Sequence, residues 1–157
     1  MVKQSSLICL FISGCSYLLA LPAIAQVNTI SFAPTRNSIG LAVQLTPNQA
    51  LPFTDIGTVT VKSTSSNGFT VQVQSNNSGM LKRTSGETIA YTFSYDGVNK
   101  GQITGLTVLE DRNSQDSICA SNPGCDRNIK IAIAQTDISA KPAGAYSDQL
   151  TFTLISK

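Results

Sequence analysis

Histidine and tryptophan are absent from the 157-residue sequence, and charged residues make up only 13% of it. Without His the chain lacks the usual general base at neutral pH and the commonest metal ligand. Its many Ser and Thr hydroxyls therefore have no ordinary partner for nucleophilic catalysis. A formal net charge of +2 supplies no electrostatic attraction toward nucleic acid or an anionic membrane surface. Helical periodicity is missing too: nowhere do apolar residues recur at helical spacing over three turns. Beyond Leu21 no apolar run approaches the ~20 residues that span a bilayer, so no membrane span is expected in the mature chain. What is plentiful is Thr, Ser, Asn, Gly and Val, the composition of an all-β extracellular domain. The length suits one domain with a real core, and not comfortably two.

The N-terminus reads as an export signal. Lys3 supplies a positive start, residues 7 to 21 are mostly apolar, and Ala23-Ile24-Ala25 is the small-x-small pattern that precedes a cut. Residues 1–25 are therefore the expected signal peptide and 26–157 the mature domain, destined through the periplasm for secretion or the cell surface. A competing reading takes Ile12-Ser13-Gly14-Cys15 as a lipoprotein box with Cys15 lipidated. Against it, the apolar run continues past Cys15 through Leu21, where a lipoprotein turns polar.

Of four cysteines, Cys9 and Cys15 leave with the signal. Cys119 and Cys125 remain, and an even pair in an exported chain reads as a disulfide. The enclosed Asn122-Pro123-Gly124 is a turn sequence that brings the sulfurs together. So short a loop gains only about 2 kcal/mol from the bridge. The spacing is not Cys-x-x-Cys, which speaks against a redox role.

The mature chain alternates. Ile30 and Phe32 share a face of a short strand over Gln26–Ala33. Ile39, Leu41, Val43 and Leu45 mark a second, ended by Thr46-Pro47-Asn48, with Pro52 as a further breaker. Val59 and Val61 face inward in a strand over Ile56–Lys62. Asn67-Gly68 follows, the strongest short hairpin signal, so Phe69, Val71 and Val73 are expected on an antiparallel partner of that strand. Met80-Leu81 is a short edge strand blunted by Lys82-Arg83. Ile89, Tyr91, Phe93 and Tyr95 lie on one rich strand placed deep in the core, and Asp96-Gly97 turns the chain. Ile103–Leu109 is a weaker strand. Glu110–Arg127 is a long loop, and Ile129, Ile131 and Ile133 form the next strand. Leu150, Phe152 and Leu154 alternate with Thr151 and Thr153 in the last. Short strands spaced by Gly, Asn, Asp and Pro turns predict an all-β, immunoglobulin-like β-sandwich of about seven to nine antiparallel strands.

Three segments, GTVTVKSTSSNGFTVQVQS, TIAYTFSYDGV and KPAGAYSDQLTFTLIS, together resemble the domain of spore coat protein U-like proteins, which also forms the subunits of archaic chaperone–usher pili. The resemblance covers about half of the mature chain and is best at the last segment, a Gly-x-Tyr turn followed by a Thr-rich strand. It implies a structural subunit or accessory protein of a pilus or surface coat. Its partners would be like subunits or a periplasmic chaperone and usher, with no enzyme activity and no cofactor. Members of the family often carry a Cys near the end of the first strand, and this chain has none there.

Tyr146 adds a physical argument. After Gly144-Ala145 it stands where a tyrosine corner opens strand F, its hydroxyl bonding back to the preceding turn. On that reading Leu150–Ile155 is strand F, and strand G is missing. Leu150, Phe152 and Leu154 then border an uncovered groove, and Ile30 and Phe32 belong to a donor strand that fills the groove of the next subunit. The alternative takes Tyr146 as a turn tyrosine and the first strand as part of its own domain. The chain is then a secreted monomeric module that binds a carbohydrate or protein through its loops.

No catalytic or metal-binding set emerges. Glu110, Asp111, Asp116 and Asp126 cluster in one loop, but the spacing lacks the Gly and terminal Glu of an EF-hand. Arg112 and Arg127 compete as partners, so a solvated charged loop is expected. Tyr91 and Tyr95 read as core residues rather than a sugar-stacking platform.

Overall fold

A computed structural model of the chain describes residues 26–35 and 45–157. The expected export signal, Cys15 and the strand expected over 39–45, apart from Leu45, lie outside them. Among the described residues there are ten strands: β1 (Asn28–Pro34), β2 (Leu51–Ser63), β3 (Phe69–Ser75), β4 (Met80–Lys82), β5 (Thr88–Ala90), β6 (Thr92–Tyr95), β7 (Val98–Gly101), β8 (Thr107–Asp111), β9 (Cys125–Ile133) and β10 (Leu150–Ser156). Two single-turn helices, α1 (Ser117–Ala120) and α2 (Gln135–Ile138), complete the order. Among the described residues no helix is long and apolar enough to cross a membrane.

The fold is an all-β sandwich. One sheet has the order β1-β2-β9-β6-β7, the other β10-β3-β8, and β4-β5 form a small ribbon. Among the described residues every pairing between strands is antiparallel. Period-two alternation puts Val59, Val61, Ile129, Ile131, Ile133 and Phe93 on the inner face of the larger sheet and Phe69, Val71 and Val73 on that of the smaller. Each such side chain contributes about 1.5–3 kcal/mol by leaving water.

Four local expectations are corrected. β2 and β3 do not form a hairpin. β2 has β1 and β9 as neighbours, and β3 has β10 and β8. The Asn67-Gly68 turn instead carries the chain from one sheet to the other. Ser65 is buried there, and its hydroxyl donates to the Lys157 carbonyl at 2.7 Å. Gly68 has φ +90°, and a Cβ there would stand 2.1 Å from the Arg112 carbonyl oxygen. That close approach, which only glycine allows, explains the residue without a hairpin.

The strand expected over Ile89–Tyr95 changes partners at Tyr91. β5 pairs with β4, while β6 pairs with β9 and β7. The Tyr91 N–H turns to the Gly79 carbonyl at 3.1 Å. The side chains keep alternating through the break, so the pattern reads as one strand while the ladder belongs to two. Pro52 does not end β2 or precede it. It sits where the β2–β9 register shifts between Leu51 and Thr54, the kind of irregularity at which a strand tolerates a residue without an N–H.

The Asp96-Gly97 turn behaves as its sequence suggests. Both residues have positive φ, 49° and 80°, and they join β6 to β7 as a two-residue hairpin. The strand expected over Ile103–Leu109 is shifted: Ile103 is buried before β8 begins at Thr107.

Candidate functional site

The sandwich has two flanks, where the edge strands of the two sheets approach each other. On one, β7 and β6 reach β8 through polar contacts: Lys100 Nζ donates to the Leu109 carbonyl at 2.7 Å, and the Tyr95 hydroxyl donates to Glu110 at 3.2 Å. On the other, β1 and β10 face each other. Among the described residues each is hydrogen-bonded to a strand on one side alone. Among the described residues no strand lies between them, and side chains bridge the gap. The Phe32 and Phe152 rings stack with centroids 6.1 Å apart and planes 13° from parallel. Gln26 Nε2 donates to the Ser156 hydroxyl at 2.6 Å.

Burial across the smaller sheet shows how open this flank is. Val71 and Val73 of β3 are 0% exposed. Their cross-strand partners on β10, Leu154 and Phe152, share the inner face yet are only half-buried, as is Leu150. Cover is thus complete over β3 and lost one strand further out. On β1, Ile30 is half-buried and Phe32 is 44% exposed. All five residues singled out as donor strand or groove edge therefore converge on one flank, within one chain.

β1 itself is laid on its own β2. Its seven residues pair from Asn28–Ser63 to Pro34–Gly57. Ile30 is opposite Val61 and Phe32 opposite Val59. The Phe32 ring extends over Gly57, where an added Cβ would come within 2.5 Å of it. A β-carbon there would push the ring away, so Gly57 gives Phe32 its seat.

The start of β10 is anchored by a residue the sequence reading passed over. Asp148 accepts from the Ser75 and Tyr91 hydroxyls at 2.6 Å each, and from the Asn77 and Gln149 N–H groups at 3.0 and 2.8 Å. Burial, then the bond to Asp148, pushes the Tyr91 phenol well above its ordinary range. The only hint in the sequence is an Asp next to a strand start. Tyr146 lies just upstream, half-buried against the core, and its hydroxyl donates to the Pro142 carbonyl at 2.9 Å. That is the bond a tyrosine corner makes. Ser147 then exchanges backbone bonds with Lys82 at 3.0 and 2.8 Å, which ties this corner to β4.

The acidic loop differs from expectation. Glu110 is not solvated: its side chain is 9% exposed. It accepts two bonds from the Arg127 guanidinium at 2.9 Å and one from Arg112 at 2.8 Å. Burial pushes its carboxyl up, but the bonds from Arg127 and Arg112 outweigh this and hold it at about 2. Asp116 caps α1, accepting from the Ile118 and Cys119 N–H groups. Asp126 accepts from the Thr60 hydroxyl, and Asp111 from Thr70 and Lys157. The acids are thus drawn apart into separate structural roles. Among the described residues no group of three or more acidic or Cys side chains could hold a metal ion. Tyr91 and Tyr95 are buried core residues.

The Cys119–Cys125 disulfide is formed and joins α1 to the first residue of β9. Both cysteines are buried. Replacing both by Ser is expected to lower stability by about 2 kcal/mol or less. The accompanying loss of hydrogen-exchange protection should be confined to Glu110–Arg127. Denaturant titration with exchange mass spectrometry measures both, and global unfolding of the double variant would refute a local role.

Compared with known proteins, the chain matches no family model and no curated protein sequence.

Proposed function

We propose that the chain is an exported structural subunit or accessory protein of a bacterial pilus or surface coat, of the spore coat protein U-like kind, and that it assembles by strand addition. It acts through surfaces, and its partners are like subunits or a periplasmic chaperone and usher. The observation that carries this reading is the β1/β10 flank. Among the described residues no strand pairs with the outer backbone edge of β10, above an apolar row, Leu150, Phe152 and Leu154, that is only half-buried. An added strand hydrogen-bonds to such an edge and drops alternate side chains onto the row. Half-covered apolar rows beside unpaired backbone favour association.

One observation favours a second reading, the secreted monomeric binding module. The seven-pair ladder of β1 on β2 completes the larger sheet from within the chain. A donor role for Gln26–Ala33 requires that ladder to be given up or bypassed. Sedimentation velocity of the mature chain, alone and with a cognate periplasmic chaperone, tests the proposal. Strand addition predicts concentration-dependent chains that a chaperone suppresses. A monomer at every concentration, indifferent to the chaperone, would favour the binding module.

A further inference from the structure

We propose that Phe32 is a plug that the domain holds over its own acceptor site, and that a strand from a second copy is added to β10 only when this ring leaves. The inference rests on the strand-addition reading. A strand added to β10 lies about 4.8 Å from it in the plane of the smaller sheet, and the facing sheet is about 10 Å away. Its inward side chains must therefore enter the space between β10 and β1. That space is occupied at its middle. Phe32 reaches across from the larger sheet and stacks on Phe152, which is itself 6.4 Å, centroid to centroid, from the fully buried Phe93. A second large side chain cannot share the position with the Phe32 ring.

The same contacts make the ring removable. Phe32 is on an edge strand and 44% exposed. On one side it lies over Gly57, which has no side chain to hold it. Turning it outward disturbs the contact with Phe152 and leaves the β1–β2 ladder, which is made by backbone groups, in place. The plug thus shields the core around Phe93 in the free subunit and sets a threshold for assembly. An aromatic pair of this kind is worth a factor of about three to ten in an equilibrium constant.

The test uses the mature chain and a fluorescein-labelled peptide with the sequence of residues 26–34, which is free to add to β10. Binding is followed by anisotropy, and hydrogen exchange reports which amides become protected. Phe32→Ala is expected to bind the peptide about three to ten times more tightly than wild type, with new protection at β10 and unchanged protection of β2. Phe32→Leu, which keeps an apolar cover without the stack, should fall between them and serves if the alanine variant does not fold. Equal or weaker binding by the variants, with binding by wild type retained, overturns the plug and leaves strand addition standing. Absence of peptide binding by wild type and variants alike overturns both. Protection gained at β2 instead of β10 shows replacement of β1 and also overturns the plug.

Discussion

Replacing Glu110 by Ala is expected to destabilise the domain by about 3 kcal/mol or more at neutral pH, because it leaves the Arg127 charge without its main partner. Arg127 is 14% exposed at its side chain and, among the described residues, would keep Asp96, at 3.8 Å, as its one acidic partner, beside a bond to the Asp126 carbonyl at 3.4 Å. Tyr95 would lose the acceptor of its hydroxyl as well. The same pair predicts a pH dependence. In the folded chain the Glu110 carboxyl is held at about 2, against an ordinary value of 4.5. A depressed carboxylate contributes stability that is fully present above its unfolded value and is lost as pH falls through its folded value. That difference is worth about 3 kcal/mol. The gap in stability between wild type and Glu110→Gln should therefore be constant above about pH 5 and close progressively toward pH 2. Urea midpoints taken across this range measure it. A gap that is small at pH 7, or that does not change on acidification, would show that the buried pair carries no such coupling.

This pair also shows what the sequence conceals. Glu110 and Arg127 are 17 positions apart, and composition says only that acids and arginines alternate in one loop. Burial is what makes the pair matter, and burial depends on β8 and β9 belonging to different sheets. The period-two alternation of Val59 and Val61, of Val71 and Val73, and of Ile129 to Ile133 made the inner faces legible. It did not say which strand lies beside which, because alternation is the same whichever sheet a strand joins. Hence Asn67-Gly68 reads as a hairpin turn and is a crossing between sheets. Hence, too, the break at Tyr91 is invisible: the side chains keep their faces while the backbone changes partner. Leu150, Phe152 and Leu154 were legible as one face of a strand, and Tyr146 as the turn residue ahead of it, because a single strand and a single turn carry those signals. Asp148 was not, since three of its four bonds come from elsewhere in the chain, from β3, from the turn after it and from the residue ahead of β6. The convergence of Ile30 and Phe32 on the β10 row within one chain was also hidden, being a matter of how β1 and β10 end up on the same flank.

Deleting Gln26–Ala33 is expected to have the largest effect on assembly. The segment supplies most of β1 and the inward residues Ile30 and Phe32, so its loss bares the edge of β2 along Thr58–Ser63 and uncovers the β10 row from the other side. The deleted chain should fail to fold alone. It should fold when a peptide of residues 26–34 is supplied in trans, and the product should be a capped monomer that does not extend, because it has an acceptor and no donor. Wild-type chains should grow under the same conditions. Charge in the same strand is the milder version. Ile30→Asp places a carboxylate against Val61 in a half-buried position and should cost about 2 kcal/mol. Phe32→Asp should cost less in stability, since that site is the more exposed. Both should stop growth, because a donor carrying Asp at either position must bury it in the apolar row of its neighbour. Sedimentation and thermal melts of the four proteins distinguish the outcomes. A wild type that remains monomeric, together with a deleted chain that stays unfolded even with peptide, would sink strand addition and leave β1 as an ordinary edge of a self-sufficient domain.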